Sequence, residues 1–182
     1  MEYVNPITDK KKLEVMKKYL KGSNLRDYTL FILGINSGLR ISDLLSLTVE
    51  DVKGKERISI REQKTGKSKD FPLSESSKKI IKEYLDTAGL IQGVLFGSRK
   101  GDKAITRVQA YRIINTAATA VGIDGKIGTH TLRKTFGYWA YKQGVDITRI
   151  QKLLNHSAPS VTLAYIGITK EELDDIYINL NL

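Results

Sequence analysis

Apolar positions recur at intervals of three and four over most of the chain, the pattern of helices with one buried face. Between residues 8 and 20, Leu13, Met16 and Leu20 share a face opposite several lysines. Residues 25–37 are apolar through Leu30-Phe31-Ile32-Leu33-Gly34-Ile35, which predicts a buried helix stopped at Gly38, with a short helix following over 41–47. Period-two alternation appears at Arg57-Ile58-Ser59-Ile60-Arg61, a half-buried strand. A turn holding Lys64-Thr65-Gly66-Lys67 then leads to a second strand ending at Pro72-Leu73, which makes a hairpin. Helical spacing then resumes. Ser74 caps a helix that stops at Gly89, and Thr106 with Gln109 forms a capping box for one that stops at Gly122. Further helices fit 130–142, stopped by Gly144, and 146–154, opened by Asp146. Thr169 with Glu172 is a second capping box, opening the C-terminal segment. The pattern predicts a mainly α chain with a small antiparallel β-sheet, an α+β class. It reads as one domain over 1–182, with an N-terminal helical segment (1–24) and a C-terminal tail helix (169–182).

Composition narrows the class of function. A chain of 182 residues with 41% hydrophobic and 27% charged residues suits one packed domain. Its apolar runs are far shorter than the roughly 20 residues a membrane-crossing helix needs, and its first residues lack the layout of a signal peptide. There is no cysteine, so no disulfide, thiolate metal site or thiol nucleophile, and a reducing cytoplasm fits. Thirty Lys and Arg against twenty Asp and Glu leave a net charge of +10. Glu171, Glu172, Asp174 and Asp175 crowd the end of the chain, so the rest is more basic still. Such a field favours polyanions, nucleic acid first among them, although solvated lysines alone would give the same count.

Candidate chemistry rests on a few side chains. The chain has two histidines, His130 and His156. His130 and Arg133 are spaced to share a helix face. His156 precedes Tyr165 at a distance that lets a following helix bring the tyrosine back. Arg40 sits just after Gly38, at a rigid helix end, with Asp43 available as a partner. Lys64 lies at the hairpin tip. Singly, each reads as readily as a surface, capping or core residue, and Tyr165 is one of nine tyrosines. The case is a joint one.

Together they resemble a known family. Ser37-Gly38-Leu39-Arg40-Ile41-Ser42-Asp43-Leu44-Leu45-Ser46-Leu47 is similar to the first arginine motif of the tyrosine recombinases, or phage integrases. Gln63-Lys64-Thr65-Gly66-Lys67 through Phe71-Pro72-Leu73 resembles that family's lysine-bearing β-hairpin. Thr129-His130-Thr131-Leu132-Arg133-Lys134-Thr135-Phe136 matches its His-x-x-Arg box. Leu153-Leu154-Asn155-His156-Ser157 up to Tyr165 matches the segment holding the last histidine and the nucleophile. The motifs occur in the family's order from residue 37 to 165. Asn155 departs from the pattern, where glycine is common. Members usually carry an N-terminal helical domain that clamps the far side of the DNA; only a short stretch precedes Ser37 here, which is expected of a naturally short recombinase, a fragment, or a protein working with a partner.

The resemblance implies a tyrosine recombinase catalytic-domain-like fold and a site-specific recombinase or integrase, such as mobile elements carry. Tyr165 is then the nucleophile, with Tyr177 the fallback, and a 3′-phosphotyrosyl intermediate conserves the phosphodiester energy without ATP. Arg40 and Arg133 suit the phosphate, since guanidinium donates in pairs and keeps its charge, and His156 adds a donor. A free phenol is only about one part in a thousand ionised at pH 7, so Tyr165 needs nearby positive charge or a base, and the resemblance implies His130 as that base or as a hydrogen-bond organiser at the phosphate. Lys64 is the implied acid for the departing 5′ oxygen. No metal or other cofactor is implied, because the acidic residues do not gather near the histidines in sequence. The implied partners are double-stranded DNA, further copies in a tetramer assembled on it, and an accessory protein, with no membrane; the implied place is the cytoplasm, on the nucleoid when bound. The rival readings are a type IB topoisomerase-like enzyme and a DNA-binding or architectural protein with the same fold and no catalysis. The tail packs on its own domain or docks on a neighbour.

Overall fold

A computed structural model describes residues 3–99 and 101–180. The Asp9 carboxylate accepts from the Lys11 and Lys12 amides and starts α1 (Lys10–Ser23), whose buried face is Leu13, Met16 and Leu20. Asn24 caps α2 (Leu25–Ser37), which is buried along Thr29–Ile35 and therefore runs through the core. It ends at Gly38 with φ 61°, and a Cβ built there would meet Phe136 Cδ1 at 2.5 Å. Two features thus demand glycine at this corner, the left-handed backbone and the close approach. The chain turns into α3 (Ile41–Leu45), shorter than the 41–47 expected. The single turn α4 (Val49–Val52) was not anticipated, being too short to show a period; Thr48 and Asp51 close it as a capping box.

The hairpin forms as expected. β1 (Arg57–Arg61) pairs antiparallel with β2 (Ser68–Pro72), Arg57 opposite Pro72 and Arg61 opposite Ser68. Glu62 N–H bonds Lys67 O at 2.9 Å and Gly66 N–H bonds Glu62 O at 2.8 Å, closing the turn that carries Lys64. Then come α5 (Glu75–Ala88), capped by Ser74 and stopped by Gly89, and α6 (Arg107–Ala120) with the Thr106–Gln109 box. The C-terminal part is α7 (Thr129–Lys142), α8 (Ile147–Leu154), α9 (Pro159–Ile166) and α10 (Lys170–Leu180).

Two apolar clusters meet along α7. The larger gathers α1, α2, α5 and α6 and takes in Leu132. The smaller joins Tyr138 to Ile150, Leu154, Ile166 and Ile168, seating α8 and α9. Gly137 makes that seat possible, since a Cβ there would lie 2.6 Å from Ile166 Cγ2 and 3.1 Å from Leu154 Cδ1. Gly137→Ala should push α9 off α7 and cost about 1–3 kcal/mol, as overpacking does. Chemical denaturation measures the loss, and an unchanged midpoint would refute the close seat.

The N-terminal arm lies against α7. Asn5 N–H bonds Lys126 O at 2.7 Å, Ile7 N–H bonds Thr135 Oγ1 at 2.9 Å, and Trp139 Nε1–H bonds Ile7 O at 2.9 Å. This path carries Tyr3 and Val4 to the rim of the site described next.

Candidate active site

The start of α3, the hairpin turn, the first turns of α7, the segment that follows α8, and α9 meet around a cavity of about 740 Å³. Arg40, Lys64, His130, Arg133, His156 and Tyr165 all line it. Every site residue expected from sequence is therefore brought to one place. Tyr177 is not among the lining residues; it stands on α10, 82% exposed. Lys67 does not line the cavity either, and its Nζ goes to Asn155 Oδ1 at 3.2 Å.

Arg40 is the N-cap residue of α3, held by the Gly38 corner. Its Nη1 lies 2.8 Å from Glu62 Oε1, with Glu62 only 4% exposed. Asp43, the partner that sequence offered, is fully buried and instead accepts the Gln63 N–H at 2.8 Å. Neighbours in sequence do not decide this pairing, because the hairpin swings Glu62 across to the arginine. Burial alone would raise the Glu62 carboxyl, but the Thr65 hydroxyl and Arg40 hold it below the usual carboxylate range. Arg40 thus has a fixed carboxylate behind it.

Arg133 is 3% exposed; its Nη1 donates to Gly38 O at 2.6 Å, and its Nη2 donates to Leu154 O. These carbonyls close α2 and α8, where helices leave carbonyls unpaired and partly negative. The next residue, Asn155, has φ 52°. Glycine takes this left-handed backbone at no steric cost, and asparagine is among the few other residues that tolerate it. Its side chain is also used: Nδ2 donates to Glu62 Oε2 at 3.4 Å.

His156 Nδ1 lies 3.0 Å from Thr162 Oγ1, and its ring meets that of Tyr165 edge-on at 4.8 Å. Burial, then Arg133 and Arg40, push His156 down to about 4. His130 is shifted the same way by burial and by Arg107, whose Nη2 is 3.5 Å from its Nε2. Both rings are therefore neutral at pH 7. A folded value near 4 against an unfolded value of about 6.5 means that the unfolded chain binds the extra proton first. The stability tied to His156 is whole above about pH 6.5 and is lost as pH falls toward 4. Urea midpoints at pH 7.5 and 5 should fall less in His156→Gln than in the parent; equal falls would refute the shift.

The Tyr165 hydroxyl is buried and makes no hydrogen bond among the described residues. Burial pushes its pKa up, opposed by Arg133 and then Arg40. A buried polar group without a partner is costly, and this one stands in the wall of a cavity lined by Arg40, Lys64, Arg133 and Lys134. Lys134, 5% exposed, has Nζ 5.0 Å from the Tyr165 ring centre and 3.8 Å from that of Tyr3. Burial lowers its pKa.

Sequence reasoning missed Glu62, Lys69, Arg107, Lys134 and Tyr3 as neighbours of the site. The alternation of β1, continued one residue, would have turned Glu62 inward with Ile58 and Ile60. The alternation of β2 likewise turns Lys69 inward with Phe71, and Lys134 is four residues from His130 on α7, whereas Arg107 and Tyr3 depend on packing between distant segments.

Comparison with known proteins agrees with the geometry. Residues 7–172 match the model of the phage integrase family. The chain is 48% identical to the probable integrase/recombinase YoeC of Bacillus subtilis, over 94% of this chain and 93% of that one. It is 31% identical to tyrosine recombinase XerC of Thermodesulfovibrio yellowstonii, covering 84% of this chain but only 53% of that one. The crystal structure of XerA recombinase superposes with a TM-score of 0.81 at 22% identity, over all of this chain and 67% of that one.

Proposed function

We propose, on the premise that this chain belongs to the phage integrase family, that it cuts and rejoins DNA strands as a site-specific recombinase through a covalent bond to Tyr165. One observation carries the reading. Six reactive side chains from four separate stretches of sequence line a single cavity, and the hydroxyl of the last is buried without a hydrogen-bond partner among the described residues. A phosphodiester fits that cavity by charge, with Arg40 and Arg133 as paired donors to its nonbridging oxygens.

Tyr165 Oη attacks phosphorus, and the bond from phosphorus to the 5′ oxygen breaks. The phenol proton passes to His130, whose lowered pKa leaves it neutral and able to accept. Lys64, exposed on the hairpin turn, gives a proton to the departing 5′ oxygen. The product is a 3′-phosphotyrosyl link, which a 5′ hydroxyl from another strand reverses. The phosphate also brings negative charge beside the cations that line the cavity. His156, kept neutral by burial and the two arginines, regains its proton affinity there and can donate from both nitrogens.

The net charge of +10 supports double-stranded DNA as the partner. On α10, Ile176, Tyr177, Ile178 and Leu180 are exposed, which supports assembly with further copies on DNA, a tetramer in the working complex. No helix among the described residues is long and apolar enough to cross a membrane. Action on DNA supports a place in the cytoplasm, on the nucleoid when bound.

The test is a nicked duplex incubated with the protein in EDTA and resolved in SDS. An SDS-resistant adduct is expected, and its absence on every DNA tried would leave only DNA binding. Relaxation of unrelated supercoiled plasmids would move the reading to a topoisomerase, whereas recombination between two defined sites supports it.

A further inference from the structure

Lys69 is absent from the chemistry above, yet it sits at the centre of the site's framework. It lies in β2 opposite Ile60, and its Nζ is 3.3 Å from Ser37 O and 3.3 Å from Leu153 O. Arg133 bonds the very next carbonyls on both segments, Gly38 O and Leu154 O. Two cations therefore bridge the same pair of helix ends, α2 and α8, at consecutive carbonyls. Both helices finish at a left-handed residue, Gly38 and Asn155, and helix C-termini attract positive charge.

What hangs from these ends explains the arrangement. Arg40 stands two residues beyond Gly38, His156 one beyond Asn155, and Lys64 on the turn just before the strand that holds Lys69. Arg133 ties the two helix ends to α7, and Lys69 ties them to the hairpin. We infer that Lys69 is a positioning residue, its ammonium stapling the ends of α2 and α8 to the lysine hairpin so that Arg40, His156 and Lys64 share one frame. This inference rests on the recombinase reading for its consequence, though not for its geometry.

The staple depends on charge. Lys69 is enclosed by Arg133 from α7, Arg40 and Asp43 from the α3 segment, Glu62 from the hairpin, and the Phe71 ring 5.7 Å away. Burial first, then Arg133, bring its pKa down to about 8, with Glu62 opposing. The ammonium is thus mostly present at pH 7 and mostly gone by pH 9.5. A neutral amine still donates but loses the charge assistance that makes such bonds strong.

The experiment is single-turnover cleavage of a duplex whose scissile bond has a 5′-bridging sulfur. Its thiolate leaves without a proton, which removes Lys64 as acid from the profile. Lys69→Met, of similar length and apolar, should cleave about tenfold to a hundredfold more slowly at pH 7, the loss that roughly 1 Å of misplacement brings. DNA affinity should stay within about twofold, because Lys69 faces carbonyls rather than the cavity. Above about pH 8 the lead of wild type over Lys69→Met should shrink, since only wild type has the staple to lose. A packing role alone would not titrate. Equal rates at pH 7, a lead undiminished at pH 9.5, or parallel loss of DNA affinity would each overturn the inference.

Amide hydrogen exchange separates its failure from that of the recombinase reading. Residues 61–68 and 155–158 should exchange faster in Lys69→Met at pH 7, with the rest of the chain unchanged. If wild type forms no adduct, the recombinase reading falls while this measurement still decides the staple. Unchanged exchange in both segments overturns it.

Discussion

Tyr165→Phe is expected to form no SDS-resistant adduct with nicked DNA while folding as well as wild type or better. The substitution deletes one oxygen and keeps the ring that packs edge-on against His156 at 4.8 Å. That oxygen is the proposed attacking atom, so covalent capture should vanish rather than slow. The effect on stability has the opposite sign. The hydroxyl is buried and unbonded among the described residues, so its removal relieves a desolvation cost of about 1 kcal/mol. Gel analysis of the adduct and a denaturation midpoint test both halves together. Loss of the adduct with a raised or equal midpoint separates chemistry from folding. A persistent adduct would place the nucleophile elsewhere. Tyr177 would then be the first to examine, although its exposed position on α10 keeps it off the cavity lining.

Arg133→Ala should have the next largest effect, and through two routes. Loss of a preorganised donor to the transition state slows cleavage about a hundredfold to a thousandfold. The same change strips the partners from Gly38 O and Leu154 O, which costs about 1–3 kcal/mol where such groups stay buried. Arg133→Lys distinguishes planar, two-armed bonding from charge alone. An ammonium cannot span both carbonyls and still address a phosphate, so lysine should recover little of the rate. DNA binding should remain measurable in both variants, since one cation among many contributes only part of the phosphate affinity. Cleavage within about tenfold of wild type in Arg133→Ala would sink the assignment of this arginine to the phosphate.

The two variants probe different parts of one construction. Tyr165 lies on α9, whose seat on α7 depends on the missing side chain at Gly137. Arg133 lies on α7 itself and reaches outward to the ends of α2 and α8. Helix packing therefore sets the distance between Tyr165 and Arg133, and the hydrogen bonds of the framework set the orientation of the arginine.

By itself, the sequence was enough to place most of the elements, though not the single turn α4, because their causes act within a few residues. Capping side chains at Ser74, Thr106 and Asp146 bond amides two or three positions on, and the glycines at 38 and 89 adopt the left-handed turn that ends a helix. The hairpin register follows from the alternation of residues 57–61, and the order of the motifs sufficed to nominate the six side chains. Only the tertiary structure decided how those side chains are held: that Arg40 pairs with Glu62 and not Asp43, that Lys67 goes to Asn155 and leaves Lys64 to the cavity, that Lys69 and Arg133 share two helix ends, and that Lys134 and Tyr3 close the wall beside Tyr165. The reason is physical. Helix period and capping are read from neighbours along the chain, whereas the strength and choice of a buried ion pair depend on burial and on which distant groups packing brings within reach.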